Sequence, residues 1–345
     1  MRCTGRSKRY HKARRRRNRI ARLMAVILVL ECISAAGIYY MRKNIKEEDL
    51  AAEYESSHYN EALYRGDLYS ADLCVATEDV DMEGAPDQNT LKAAALFDLK
   101  RKETDFAYNI HEKMYPASLT KLMTALVVLD SGADLTETVT VSKNADARTF
   151  AADEQTCGIW EGDQLTLESL LYGLLVYSGN DNAVAIAEHV AGSSDSFAEM
   201  MNEKAGEIMA TGSHFMNANG LHQEDHYTTA YDMYLIFNAC MKHDKFLEII
   251  QSDSYKADIK RGDGSDVSVE WEPTNYYALG EAKLPKSGKI IGGKTGTTQS
   301  AGNCLILLDE SDSGNPYISI VMGAGTKEVL YQDMTALIEG ISEGE

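Results

Sequence analysis

Tyr115-Pro116-Ala117-Ser118-Leu119-Thr120-Lys121-Leu122-Met123-Thr124-Ala125-Leu126 marks the point where a strand-like pattern turns helical. Pro116 favours a helix start, since its fixed φ suits the first turn and its missing N–H is not needed there. The apolar run after Lys121 suits a buried helix. Upstream, residues 73–76 and 93–99 read as strands, and 106–109 as the return strand of a hairpin turning through 100–105. Residues 79–90 read as a loop around Gly84, Pro86 and Asn89. Downstream, Leu167, Leu170, Leu171, Leu174 and Leu175 recur at helical spacing behind a Thr166 cap. Ala183, Ile186, Ala187 and Val190 predict a helix that Gly192 ends, and Phe197, Met200, Met201 and Ala205 another. Thr229, with Asp232 three residues on, predicts the cap of a helix over 233–241. Short apolar runs at 289–292, 304–308 and 317–322 return to strands, and Leu330, Met334, Leu337, Ile338 and Ile341 share the face of a last helix. Strands first, helices next, strands and a helix last point to one α+β domain. Its antiparallel sheet is built from both chain ends and flanked by helices, with a helical lobe inserted.

Three clusters in this frame carry chemistry. Ser118 and Lys121, three apart on a helix, lie on one face. A serine hydroxyl is a poor nucleophile until a neighbour takes its proton, and a lysine made neutral by burial or a second cation can take it. Alone, the spacing also fits an ordinary helix N-terminus. Tyr177-Ser178-Gly179-Asn180 places a hydroxyl and an amide on a turn between two apolar helices, where Asn180 alternatively reads as a cap. Ile290-Ile291-Gly292-Gly293-Lys294-Thr295-Gly296-Thr297-Thr298 ends a strand with small residues that allow a ligand backbone to come close, and Lys294 adds a second cation. A phosphate loop is disfavoured, because no G-x-x-x-x-G-K pattern leads into a helix.

S-x-x-K, S-x-N and K-T-G in this order are the set characteristic of penicillin-binding proteins and class A β-lactamases. With the flanks EKMYPASLTKLMTAL, LTLESLLYGLLVYSGNDNAVAIAEHVAG, NANGLHQEDHYTTAYDM and GGKTGTTQSAGNCLI, residues 70–340 resemble the low-molecular-mass D-alanyl-D-alanine carboxypeptidases, the S11 serine peptidases. The resemblance implies a β-lactamase/transpeptidase-like fold and an acyl-enzyme on Ser118, with Lys121 as its base. It implies that Ser178 relays the proton to the leaving amine and that Asn180 holds the peptide amide. Lys294 would depress Lys121 and attract the substrate's terminal carboxylate, which Thr295 would contact. Gly296 completes that segment, and the N–H of Thr297 would join that of Ser118 in the oxyanion hole. The implied partners are a peptidoglycan stem peptide, which loses its terminal D-alanine, and β-lactams as inhibitors; neither cofactor nor metal is implied. Two positions depart from the family. Thr297 stands where a histidine often follows K-T-G. The stretch Lys327-Glu328-Val329-Leu330 lacks the arginine that many members place near the start of the last helix, so carboxylate binding falls to Lys294, Thr295 and Lys327. A serine β-lactamase and a non-catalytic wall-binding protein are the rivals. The first lacks an evident deacylating glutamate in 214–219, and the intact Ser118, Lys121 and Lys294 argue against the second.

The remainder of the chain concerns placement. Of 345 residues, 44% are hydrophobic and only five are proline, enough for a sizeable core. The net charge of −19 is unevenly spread: residues 1–22 carry eleven Lys or Arg and no acid, which leaves 23 basic against 53 acidic residues beyond them. Residues 23–41 hold one charge, Glu31, and approach the ~20 apolar residues that span a bilayer. Basic residues beside a span stay on the cytoplasmic side. The expected order is a cytoplasmic basic tail at 1–22, a transmembrane signal anchor at 23–41, a juxtamembrane spacer at 42–68 and an extracellular catalytic domain at 69–342, with no nucleic-acid partner. The alternative is secretion after signal-peptide cleavage before Gly37, behind the small Ser34 and Ala36. Cys3, Cys32, Cys74, Cys157, Cys240 and Cys304 form no C-x-x-C pair, and Cys240 and Cys304 read as small buried residues. His222 and His226 resemble a metal pair only if helical, and they follow Asn219-Gly220. His189 reads as a packed core residue.

Overall fold

The computed structural model describes residues 5–44 and 72–341. The chain divides into two compact units, Met1–Leu68 and Tyr69–Glu345. Among its described residues the first holds one helix, α1 (Gly5–Asn44), which continues unbroken from the basic tail into the apolar stretch. Arg15–Tyr40 is long and apolar enough to cross a membrane, as an anchor or a signal sequence, and its side chains are exposed. From residue 45 the expected spacer lies outside the described residues, as do Cys3 and the domain start at Tyr69.

In the second unit β1 (Ala93–Asp98) and β2 (Glu103–Tyr108) come from one end of the sequence. The helical lobe follows: α2 (Thr120–Asp130), the short strands β3 (Thr138–Thr140) and β4 (Gln164–Thr166), α3 (Leu167–Tyr172), α4 (Asn180–Ala191), α5 (Ser194–Glu207), α6 (Ala230–Cys240) and α7 (Asp244–Ile250). Then come β5 (Tyr255–Lys260), β6 (Asp266–Trp271), a single turn α8 (Tyr276–Leu279), β7 (Lys289–Thr298), β8 (Gly302–Glu310), β9 (Pro316–Ala324) and α9 (Lys327–Glu339). The main sheet is antiparallel in the order β2-β1-β9-β8-β7, so both ends of the unit meet at its centre, where β1 pairs with β9. Its middle strands are covered on both faces. Leu96, Leu305, Leu307 and Val321 pack with Met334 and Leu337 of α9, while Phe97, Ile306, Ile318 and Ile320 join the core of the helical lobe. A strand buried on both faces reads as a continuous apolar run, which is why 93–98 was legible.

The helix signals act as capping chemistry requires. Thr166, Ser193 and Thr229 each accept a hydrogen bond from the amide three residues on. Gly192 closes α4 in the left-handed conformation at φ +79°.

Several expectations fail. Residues 73–76 form no strand. The amide of Cys74 donates to the Tyr234 hydroxyl at 2.7 Å and its carbonyl accepts from the Tyr231 hydroxyl at 3.1 Å, so side chains satisfy this backbone instead of a neighbouring strand. β7 does not stop at Gly292 but runs through the third motif to Thr298. A second sheet, β3-β4-β5-β6, was not foreseen. His189, expected as a packed core residue, lies at the surface, 3.1 Å from Glu137.

Candidate active site

Ser118 sits on a 3-10 turn, Ala117–Leu119, that runs directly into α2. The turn is strained: Ala117 takes φ +48°, a region that costs a non-glycine residue about 1–3 kcal/mol. Its surroundings hold it there. Gly220, at φ +87°, packs so tightly that a Cβ would stand 1.9 Å from the Ala117 carbonyl oxygen. The Met216 amide donates to His226 Nδ1 at 3.0 Å, which leaves the ring proton on Nε2, 2.7 Å from Thr120 Oγ1. Thr120 in turn donates to the Ala117 carbonyl at 2.8 Å. Burial holds His226 well below the usual imidazole range, at about 4, in keeping with this neutral role.

Lys121 enters from the first turn of α2 and is wholly buried. Its Nζ lies 2.9 Å from Ser118 Oγ, 2.7 Å from Asn180 Oδ1 and 2.7 Å from the Asn219 carbonyl. Loss of water, and then the nearby charge of Lys294, push its pKa well below the ordinary lysine value. A neutral amine within hydrogen-bond reach of a serine hydroxyl can accept its proton.

Ser178 lies between a π-type turn, Gly173–Tyr177, and α4, of which Asn180 is the first residue. Ser178 is left-handed at φ +69°, which turns its hydroxyl toward β7. Asp181 anchors the turn from below: its carboxylate accepts from the amides of Cys157 at 2.8 Å and Gly158 at 2.9 Å. The Asn180 amide donates to the Gln155 carbonyl at 2.8 Å. This ties residues 153–155 to the second motif, and Asp153 and Glu154 line the cleft beside it.

β7 forms the facing wall. It is the edge strand, paired among the described residues only with β8. Lys294 is buried, and loss of water brings its pKa down to about 7. It donates to Ser178 Oγ and to the Thr295 carbonyl, both at 2.9 Å. The Thr295 hydroxyl lies 2.6 Å from that of Thr274. Gly296 lets the strand approach Ser118: a Cβ there would stand 3.1 Å from its amide nitrogen. The Thr297 hydroxyl donates to Asn303 Oδ1 at 3.2 Å. Gly292 serves the protein's own backbone, since its Cβ would stand 2.1 Å from the Ile250 carbonyl.

One cleft of about 580 Å³ is lined by Ser118, Ser178, Asn180, Thr295, Gly296 and Thr297, with Lys327 at its rim. Lys121 and Lys294 sit beneath it. The Lys327 ammonium stands over the Tyr276 ring, 4.8 Å from its centre. His222 also lines the cleft, with its ring edge-on to Tyr115. Asp181 and Thr274 escaped the sequence reading, which weighed His226 only as a metal ligand and Asn219 only as part of a loop. Asn219 acts through a backbone carbonyl, which carries no side-chain signal. The other three act through segments distant in sequence.

The family model for peptidase S11, D-alanyl-D-alanine carboxypeptidase, matches residues 81–326. The D-alanyl-D-alanine carboxypeptidase DacF of Bacillus subtilis is 28% identical over 72% of this chain and 61% of its own length. DacC of Escherichia coli is 33% identical over 67% of this chain and 56% of its own. The chain thus spans about six-tenths of the length of these relatives. The crystal structure of the Streptomyces K15 DD-transpeptidase superposes with a TM-score of 0.67 at 25% identity, covering 73% of this chain and 96% of that one. With a family match over more than half its length, and with Ser118, Lys121, Ser178 and Lys294 gathered at one cleft, the chain belongs to the S11 peptidases, the D-alanyl-D-alanine carboxypeptidase family.

Proposed function

We propose that this protein is a serine-type D-alanyl-D-alanine carboxypeptidase that removes the terminal D-alanine from peptidoglycan stem pentapeptides. The observation that carries the reading is the buried Lys121 amine, 2.9 Å from Ser118 Oγ with its pKa driven down. In the first step Ser118 Oγ attacks the penultimate D-alanine carbonyl while its proton passes to Lys121. The C–N bond then breaks, the ester forms on Ser118, and the departing amine takes a proton through Ser178. Water hydrolyses the ester and restores the hydroxyl. The backbone N–H groups of Ser118 and Thr297 are assigned to the oxyanion, and the Asn180 side chain to the peptide amide. Lys294 is committed to Ser178 and to the Thr295 carbonyl, so it acts on the substrate carboxylate by its charge. Direct contact falls to the Thr295 hydroxyl and to Lys327.

The placement follows from the same reading. Residues 1–22 form a cytoplasmic tail, 23–41 an anchor, 42–68 a spacer and 69–342 the catalytic domain outside the membrane. The apolar helix Arg15–Tyr40 and the charge split support it. Protease added to wall-less cells should digest the domain and spare the basic tail; a mature chain beginning at Gly37 would favour the secreted form.

The deciding experiment is mass spectrometry of the purified protein with a pentapeptide, which should lose one alanine. A penicillin pulse should add one acyl group that persists for minutes or longer, because the tethered leaving amine hinders water. A β-lactamase would return to its unmodified mass within seconds. Asp153 and Glu154, which line the cleft, would then be the first acids to examine.

A further inference from the structure

The cations beneath the cleft are turned inward. Lys121 Nζ is surrounded by three oxygens, and Lys294 donates to Ser178 and to the Thr295 carbonyl. An anion entering the cleft therefore meets the Thr295 hydroxyl, which stands 2.6 Å from Thr274 Oγ1. Thr274 belongs to none of the three motifs. It lies between β6 and α8, and its amide donates to the carbonyl of Val176, two residues before Ser178, at 3.3 Å. It lines both the catalytic cleft and a separate cavity of about 180 Å³ behind β7. It therefore touches the catalytic strand from the side of the second motif.

A hydroxyl has one proton to give and two lone pairs to offer. If Thr295 donates to Thr274, it turns lone pairs toward the cleft and repels a carboxylate. If Thr274 donates to Thr295, the Thr295 proton is free for the anion. The Thr274 side chain has no other hydrogen-bond partner among the described residues, so nothing competes for its proton. In the second arrangement both bonds run the same way, and each polarises the next.

We propose that Thr274 is a positioning residue acting through Thr295. Its hydroxyl supplies the proton that lets Thr295 turn its own toward the terminal carboxylate, and it thereby sets the preference of the cleft for carboxylate-ended ligands. The inference rests on the acyl-transfer reading above and adds to it a residue outside the motifs.

The test compares acylation of the full-length protein in detergent by a penicillin and by the same penicillin with its carboxyl group methylated. Thr274→Val removes the hydroxyl and keeps the shape; Thr274→Ser keeps the hydroxyl. Thr274→Val should slow acylation by the free acid roughly three- to tenfold, the worth of one neutral hydrogen bond, and leave the ester within about twofold. Thr274→Ser should restore the acid rate to within about twofold of wild type. Equal slowing of both probes would make Thr274 merely structural and overturn the proposal, as would an unchanged ratio or a failure of serine to rescue. Thr274→Ala provides the same comparison if valine disturbs folding. A wild-type protein that neither probe acylates would instead overturn the acyl-transfer reading, and this inference with it, before any variant is compared.

Discussion

Lys121 and Lys294 reach the same cleft from two different kinds of backbone. Lys121 follows a turn strained at Ala117 and held by Gly220 and the His226–Thr120 relay. Lys294 stands on an ordinary extended strand whose neighbours Gly293 and Gly296 only need to be small. Both amines are buried, yet their surroundings differ. Lys121 has an additional cation nearby and is pushed well down; Lys294 is lowered by loss of water alone, to about 7. On the proposed mechanism the same side chain is thus fitted to two tasks, accepting a proton and supplying charge. Environment, not residue type, separates them.

The comparison breaks first at Ser118. Ser118→Ala should abolish labelling by penicillin and cleavage of pentapeptide together, with the fold intact by circular dichroism. Labelling at the wild-type rate would remove Ser118 from its role. Lys121→Ala should reduce acylation by ~10²–10⁴-fold, the range for lost base catalysis, and a loss under tenfold would mean that another group takes the proton.

The third measurement separates the two lysines by pH. Lys121 must be neutral to accept, so acylation should rise as pH climbs through its depressed pKa. Lys294 must be charged to attract the carboxylate, so acylation should fall above about 7. Lys294→Arg should erase the alkaline limb and leave the acid limb in place, since an arginine keeps its charge. An alkaline limb that survives this change belongs to another group.

Smaller effects concern the wall and its stability. Gly296→Ala places a methyl 3.1 Å from the Ser118 amide, which should slow acylation and cost about 1–3 kcal/mol through local overpacking. Denaturant titration checks the stability change. Lys294 also links folding to pH. Its folded pKa is lowered from 10.5 to about 7, so between those values the unfolded chain binds more protons. Stability should therefore rise with pH across that window, and the part due to Lys294 is lost as pH falls through 7. Lys294→Met should flatten that slope.

The legible parts of the molecule are those whose signal lies in neighbouring residues. Ser118 and Lys121 declare themselves by a spacing of three, Thr166 and Thr229 by capping, and β1 by an unbroken apolar run. β5 alternates buried Ala257 and Ile259 with exposed Lys256, Asp258 and Lys260, a period of two that was there to be read. β4 meets β5 at one pair only, Gln164 with Lys260, and no local pattern foretells so slight a join. The third partner of Lys121 is a carbonyl, and the tyrosines that satisfy Cys74 lie more than 150 residues away. Such contacts exist only after the chain has folded.

The pairing of β1 with β9 sets a timetable. Ala93 bonds opposite Met322, and β7 with its lysine reaches β1 only through β8 and β9. A chain emerging amino end first must leave β1 without its inner partner until almost the whole catalytic unit has been made. Closing a loop of that length is slow, and the waiting apolar strand is open to mispairing. On the proposed mechanism the charge assigned to tune the serine turn comes with β7, so the growing chain stays chemically silent until β7, β8 and β9 have been made.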